Sequence, residues 1–483
     1  MRPLIDLRKF AVTLPAVLLP CAAVAEPARH QDILQLVDQR AAHFSETSKA
    51  IWDHPELGYQ EEKSSGLLQR ELVSAGFRVQ AGVAGEPTGF VATFGQGQPV
   101  IGIMGEFDAL PGLSQAATPN RNPLVADGPG HACGHNLLGA GAALAAVALK
   151  EYMERNHVAG TLRYYGTPAE EGGNGKVYMI RAGLFRDVDV ILQWHPGDEN
   201  YVFNGGMLAN DSARFHFHGI AAHAAAAPER GRSALDAVML MGNGIEFLRE
   251  HIPSNSRVHY IITNGGAAPN VVPDSAEMYL YARNPSSVVL NNVWSRILKI
   301  AQGAALMTET TLEVKELGGT TNVVANDVLA KVAQRNLEEV GGFAYTPEEK
   351  QFAADVQKSL PPDGAKKLES TAAVLPLGAR TGQASTDAGD VSWNVPTIGF
   401  RAATFVPGVV AHTWQAAATS GMSIGQKGMV VAAKALAITG ADLFADAQLI
   451  ADAKVDFKKQ LNGATYQSVI PEFQKPPLDY RHK

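Results

Sequence analysis

Two histidines flank a cysteine in GPGHACGHNLLGAG, residues 128–141, where His131, Cys133 and His135 stand two apart. Further on come an adjacent carboxylate pair, Glu170 and Glu171 in GTPAEEGG, then His195 in WHPG and His412 in PGVVAHTWQ. Cysteine, histidine and carboxylate in one set are the donors that a zinc-like or manganese-like ion takes. One ion rarely needs five of them, so two ions sharing a bridge suit the set. Neighbouring carboxylates repel, and one of the pair needs a compensating positive charge. An ion bound by Glu171 would supply it, leaving Glu170 to take a proton from a water activated beside that ion. Each residue alone has a plainer reading. An acidic dipeptide is ordinarily a solvated turn, and a lone histidine after an apolar strand is ordinarily a satisfied core residue. The Gly-Thr-Pro before the pair and the Gly-Gly after it point instead to backbone held tightly against something. His131 is expected to orient a ligand. Asp108, in GEFDALPG, is expected either to do the same or to cap a turn.

The elements that must position these residues are legible as well. Residues from about 30 to 76 have apolar side chains at helical spacing and read as two helices. FRVQAGV, GFVATFG and PVIGIMGEFDAL are short β-rich runs, and a long helix of small residues starts near Asn136. GTLRYYGT and VDVILQW read as strands, with a helix between them from about Lys176. Strands alternating with helices imply an α/β layer with a largely parallel sheet, and such sheets bind ligands outside the carboxyl ends of their strands. Near residue 210 the pattern becomes β-α-β-β-α-β, a two-layer unit complete in itself. The expected organisation is therefore a leader over 1–25, a catalytic domain over 26–209 and 321–450, an inserted domain over 210–320 and a tail over 451–483. Within it, 341–384 is rich in Pro, Gly, Lys and Glu and reads as a surface excursion.

Composition narrows the function classes. The chain has 483 residues, 46% hydrophobic and 18% charged, enough apolar material for two cores. A formal net charge of −7 with no basic stripe argues against nucleic acid. The N-terminus carries Arg2, Arg8 and Lys9, an apolar run from Phe10 to Leu19, and Ala23-Val24-Ala25, in the order of a cleaved secretory signal. That run is too short for a membrane span, which would need about 20 residues. A short anchor helix, or lipidation at Cys21, is the lesser alternative. The mature chain is thus expected in the periplasm or outside the cell, free of the membrane. Of the two cysteines only Cys133 would remain, and metal ligation would explain a lone thiol in an oxidising compartment.

Taken together, GHACGHNLLGAG, GTPAEEGGNGK, WHPGD, GIAAHAAAAPERGRSALDAV, APNVVPDSAEMYLYAR and STDAGDVSWNVPTIGF resemble the M20 metallopeptidases, and within them the amidohydrolase branch. The resemblance runs from about residue 30 to 440. It implies a catalytic domain for two divalent metal ions, Zn²⁺ or Mn²⁺, and an inserted lid that often mediates dimerisation, hence a homodimer. Carried over by motif, the metal ligands are Cys133, His135, Glu171, His195 and His412, with Cys133 plausibly bridging and Glu170 the general base. His223 matches a histidine that stabilises the oxyanion, often across a dimer. Asn270 and Arg283 sit where lid residues contact substrate. The wider family places a His-x-Asp ligand motif where this chain has Glu106-Phe107-Asp108, so the ligand set rests on the Cys-Gly-His turn. Asp387, expected just outside the ligand set, replaces a glutamate common in the branch. The implied reaction is hydrolysis of the amide bond in N-acyl or N-aroyl amino acids of the p-aminobenzoyl-glutamate type. The rivals are a dipeptidase or carboxypeptidase, and a non-catalytic metal- or solute-binding relative.

Overall fold

The computed structural model describes residues 26–378 and 384–481. The expected leader, residues 1–25, lies outside them. Among the described residues eleven strands build two sheets. In chain order, β1 (Arg78–Ala81), β2 (Phe90–Gln96), β3 (Val100–Glu106), β4 (Gly160–Thr167), β5 (Val190–Gly197) and β6 (Tyr201–Phe203) belong to the first. The second holds β7 (Ala209–His218), β8 (Arg257–Asn264), β9 (Ser275–Asn284) and β10 (Thr311–Thr320), and β11 (Thr397–Ala403) returns to the first.

The first sheet runs β1-β2-β4-β3-β5-β11-β6. Its four central strands are parallel, as expected, and both edges close with antiparallel pairings. β3 is buried along its whole length, because a strand covered on both faces needs a continuous apolar run. The helices Glu26–Asp53, His135–Arg155 and Ser423–Ala445 share one core on one face. On the other face Met104, Tyr165 and Ile191 pack with Met179 and Val391. The small residues of His135–Arg155 let it lie close on the sheet. A Cβ at Gly139 would stand 2.7 Å from the Glu106 carbonyl oxygen. Helix Ser423–Ala445 is long and apolar enough to cross a membrane, yet most of it is buried inside the protein.

The second sheet, order β10-β7-β9-β8, is antiparallel throughout and carries the expected β-α-β-β-α-β succession. β9 alternates strictly between buried and partly exposed residues. Phe215, Phe217, Met278 and Leu280 face helices Ala234–Arg249 and Ser287–Thr308, forming a separate core with Met241, Ile245 and Ile297. The opposite face bears Arg214, Tyr279, Tyr281 and Arg283.

Two segments differ from expectation. Within 341–384 lies a helix, Pro347–Gln357, opened by a capping box between Thr346 and Glu349. Its Phe352, Ala353 and Val356 pack against Phe405, Val406 and Val409, so much of this stretch belongs to a core. The tail is structured too. Helix Ala447–Leu461 begins before the expected boundary, and the residues after it follow helix Gly175–Arg181. Arg181 donates to Ser468 Oγ (3.1 Å) and to the carbonyls of Gln474 (3.2 Å) and Ile470. Ile470 packs on Val177 and Tyr178.

Candidate metal centre

The carboxyl ends of the parallel strands carry the site. Glu106 closes β3, the loop after β4 bears Glu170 and Glu171, and His195 sits near the end of β5. His412 follows β11. Cys133 lies in the turn before helix His135–Arg155, where Gly134 takes a φ of +78°. A left-handed residue there swings the chain so that Cys133 and His135 reach the same place.

Donor atoms of Cys133, His135 and His195 lie within 4.8 Å of one another, and so do those of Cys133, Glu171 and His412. Cys133 belongs to both trios, which is the arrangement a bridging ligand needs. Its Sγ is 3.6 Å from His195 Nε2. His195 Nδ1 faces the Pro196 carbonyl oxygen at 2.8 Å, so Nδ1 carries the hydrogen and the Nε2 lone pair points at the cluster. Burial, Arg401 and His135 hold His195 well below its usual 6.5, which keeps it neutral and able to ligate. His412 Nε2 is 3.1 Å from Glu171 Oε1. Hydrogen bonds to Cys133 and Glu171 push His412 up to about 10, and its backbone stands at φ +64° with its N–H on the Ala132 carbonyl. Ala169, before the carboxylate pair, is likewise left-handed at φ +55°. Such strain gathers where surrounding structure dictates a residue's aim.

Asp108 bonds to two of the candidate ligands. One oxygen meets His135 Nδ1 at 2.8 Å and the other accepts the Glu171 N–H at 2.9 Å, so one buried carboxylate sets both residues. His131 is fully buried beside His135, and burial, then the His135 charge, lower it to about 3. Asp387 accepts from the Lys176 ammonium (2.6 Å) and the Lys176 backbone N–H (3.0 Å). His223 and Asn270 are exposed on the inserted unit. His223 Nδ1 accepts from the Ala225 and Ala226 N–H groups, at 3.2 and 3.1 Å, leaving its Nε2–H outward. Neither residue is brought to the cluster within this chain. Arg283 reaches across to Ser385 Oγ at 3.3 Å.

The surroundings hold residues that sequence reasoning passed over. Glu61, fully buried, accepts the Ala169 N–H at 2.8 Å and the Thr88 hydroxyl at 2.7 Å, fixing the loop just ahead of Glu170. Burial and the charge of Asp108 raise Glu61 to about 8. Glu106, noted only as a departure from the family motif, lies 3.1 Å from His135 Nε2 and 2.8 Å from Lys176 Nζ. With His135 and Glu170 it forms a third group of donors. A lysine opening an otherwise apolar helix was the one sequence signal for Lys176.

Charge is unbalanced here. Glu61, Glu106, Asp108 and Asp387 are buried together with the Glu170–Glu171 loop, against the two buried cations Lys176 and His135, the latter held charged against its burial by Cys133, Asp108 and Glu106. Burial, then Glu106, Glu171 and Asp387, push Glu170 well above its usual 4.5. His135 Nε2 stands 3.1 Å from Glu106 Oε2, and Glu171 Oε1 3.1 Å from His412 Nε2, so each faces another donor of the set. Donors turned toward one another amid a surplus of carboxylates fit divalent cations.

Comparison with known proteins agrees. The sequence model of peptidase family M20/M25/M40 matches residues 102–437. One of the polypeptides of the p-aminobenzoyl-glutamate hydrolase of Escherichia coli K12 is 40% identical over 92% of this chain and 99% of its own length. The human Xaa-Arg dipeptidase is 31% identical over 90% of this chain and 93% of its own. Among solved structures, a dinuclear metal-binding peptidase of the M20 family from Bacillus subtilis superposes with a TM-score of 0.60 at 19% identity. The match covers 84% of this chain and 99% of that one, a likeness that shows the fold.

Proposed function

The chain belongs to peptidase family M20/M25/M40, whose members hydrolyse amide bonds with the help of metal ions, and from that premise we propose that it cleaves the amide bond of N-acyl or N-aroyl amino acids such as p-aminobenzoyl-glutamate. The observation that carries this reading is the pair of donor trios meeting at Cys133, with Glu170 beside them. Cys133, His135 and His195 would hold one ion, and Cys133, Glu171 and His412 the other. The mixed sulfur, nitrogen and oxygen set suits Zn²⁺ or Mn²⁺. Such ions supply the positive charge that makes water a nucleophile at neutral pH and polarises a carbonyl.

The chain's own groups do the rest. Glu170 takes the proton of the attacking water and returns it to the leaving amine. Asp108 keeps His135 and the Glu171 loop in register, and Glu61 holds Ala169 so that Glu170 faces inward. Arg283 offers a guanidinium for a substrate carboxylate. Asn270, whose carbonyl accepts the Ala224 N–H at 3.0 Å, lies next to His223.

His223 would stabilise the oxyanion from a second copy. Two features support a homodimer through the inserted unit. Strand β8 is an unpaired edge with Ile261 60% and Ile262 46% exposed. The helix Ala234–Arg249 on the same sheet exposes Met239 and Phe247. Light scattering on the wild type and on Ile261→Asp tests this, and a monomeric wild type would end it. The N-terminal signal pattern supports export to the periplasm or beyond, which fractionation would check.

The deciding experiment follows amino-acid release by the chain from Glu26 onward, loaded with Mn²⁺ or Zn²⁺. Its panel holds p-aminobenzoyl-glutamate, other N-acyl amino acids and free dipeptides. Cleavage confined to acylated substrates is expected. Cleavage of dipeptides alone would move the assignment to a dipeptidase, a reading favoured by the likeness to Xaa-Arg dipeptidase. No turnover at full metal occupancy would leave a binding protein.

A further inference from the structure

The C-terminal segment ends on the backbone of Glu171. The Tyr480 hydroxyl donates to the Glu171 carbonyl oxygen at 3.2 Å, and the Arg481 guanidinium donates to the same atom. On the other side of the residue, the Glu171 N–H is held by Asp108 Oδ2 at 2.9 Å. Because peptide units are planar, pinning an N–H and a C=O fixes both units that flank the Glu171 Cα. Only side-chain rotations are then left between the backbone and the carboxylate. The loop's own bonds, from the Gly172 N–H to the Glu170 carbonyl at 2.6 Å and from the Gly173 N–H to the Ala169 carbonyl at 2.9 Å, hold this turn only to itself, and the tail ties it to the rest of the molecule.

The fold makes room for this contact and secures it. A Cβ at Gly58 would stand 2.3 Å from the Tyr480 hydroxyl, so only glycine admits the ring. Tyr480 meets Tyr59 edge to face with centroids 5.9 Å apart, and the Tyr59 hydroxyl donates to the Gly173 carbonyl at 2.7 Å. Upstream, Arg181 grips the segment at three points, and the Tyr466 hydroxyl donates to Asp390 at 2.9 Å. The end of the segment also walls a cavity of about 510 Å³ together with Gly172 and, from the inserted unit, Arg214, Tyr279 and Lys315. It therefore lies between the two parts of the molecule, beyond the residues matched by the family model.

We propose that Tyr480 and Arg481 are positioning residues of the metal centre, which hold Glu171 so that its carboxylate can bind a divalent cation with Cys133 and His412. This rests on the two-ion reading given above. The interaction is directed at one backbone atom beside one ligand, by a charged and a neutral donor together. Partners of that kind, one step behind a ligand, are worth about 10–100-fold in metal affinity.

The test titrates Mn²⁺ into the metal-stripped full chain, comparing wild type, the double variant Tyr480→Phe/Arg481→Ala, and Tyr480→Phe/Arg481→Lys. The wild type is expected to take two equivalents. In the first variant one equivalent weakens by about 10–100-fold while the other holds, and the melting temperature in chelator stays that of the wild type. The lysine variant, which keeps one charged donor, recovers part of the loss. Two equivalents at wild-type affinity in every variant would overturn the proposal. So would a loss that follows a drop in melting temperature and is not relieved by lysine, since that marks general packing. A wild type that takes fewer than two ions would instead remove the two-ion reading, and this inference with it.

Discussion

The Lys176 ammonium lies 2.6 Å from the Asp387 carboxylate, and both side chains are fully buried. Lys176 is also 2.8 Å from Glu106, so it faces two of that group of carboxylates. Removing one partner of a buried pair leaves a charge without compensation and costs about 3–5 kcal/mol. Lys176→Met should therefore destabilise the protein by about that amount, read as a denaturant midpoint. A change below about 1 kcal/mol would show that the acids had simply taken up protons.

The shared thiol gives a prediction of stoichiometry. Cys133 stands in both donor trios, whereas His195 and His412 each stand in one. Cys133→Ala should weaken both ions, while His412→Ala should weaken one and spare the other. Mass-spectrometric metal content per chain, measured after dialysis, distinguishes the two patterns. Equal loss in both variants would count against bridging by Cys133.

Glu170→Gln should keep its metal and lose roughly 10² or more in kcat, the usual contribution of a positioned acid–base group. Comparing kcat with metal content on the same preparation separates this from loss of the ions. Unchanged turnover would rule Glu170 out as the proton carrier.

A second buried cluster, far from the metal centre in sequence, sets a dependence of stability on pH. Asp442 meets His30 Nε2 at 2.8 Å, Arg29 at 2.6 Å and Arg335 at 2.8 Å. Burial opposes its charge, but the bonds from His30, Asn336 and Arg29 outweigh that and lower it from 3.8 to about 2. A depressed carboxylate stabilises above its unfolded value and is lost as pH falls through its folded one. At about 1.4 kcal/mol per unit the contribution is roughly 2 kcal/mol. Burial likewise opposes charge on His30, yet Asp442 and Glu339 raise it above 6.5. Its share is complete below 6.5 and is lost as pH rises through the raised value. Both contributions are whole between about pH 4 and 6.5. The melting-temperature difference between wild type and Asp442→Asn should be largest in that window and shrink on both flanks.

The sequence exposed the parts of the site that chemistry marks by type. A thiol between two imidazoles, a paired carboxylate and a histidine after a strand are rare enough to be read directly, and the structure gathers Cys133, His135, Glu171, His195 and His412. The inserted β-α-β-β-α-β unit was equally plain, because period-2 and period-3.6 patterns alternate cleanly there. What stayed hidden acts through the fold. Glu61 is an ordinary glutamate at the start of a helix until β4 ends beside it. Tyr480 and Arg481 sit in a polar tail with no periodicity, and their role depends on a path that Arg181 sets. Helix Pro347–Gln357 was obscured by its lysine and glutamates, while Phe352 and Val356 face inward.

The inserted unit pairs its strands only with one another, whereas β5 finds its partner β11 on the far side of that whole insertion. The segments carrying His195 and His412 are therefore among the last to be neighbours as the chain collapses, since contacts distant along the chain form slowly. The insertion can condense early on its own short-range contacts. Both donor trios are complete only once the central sheet has closed. The ions are expected to slow unfolding far more than they hasten folding, so that the holoprotein outlasts the apoprotein in time even where the two fold at the same speed.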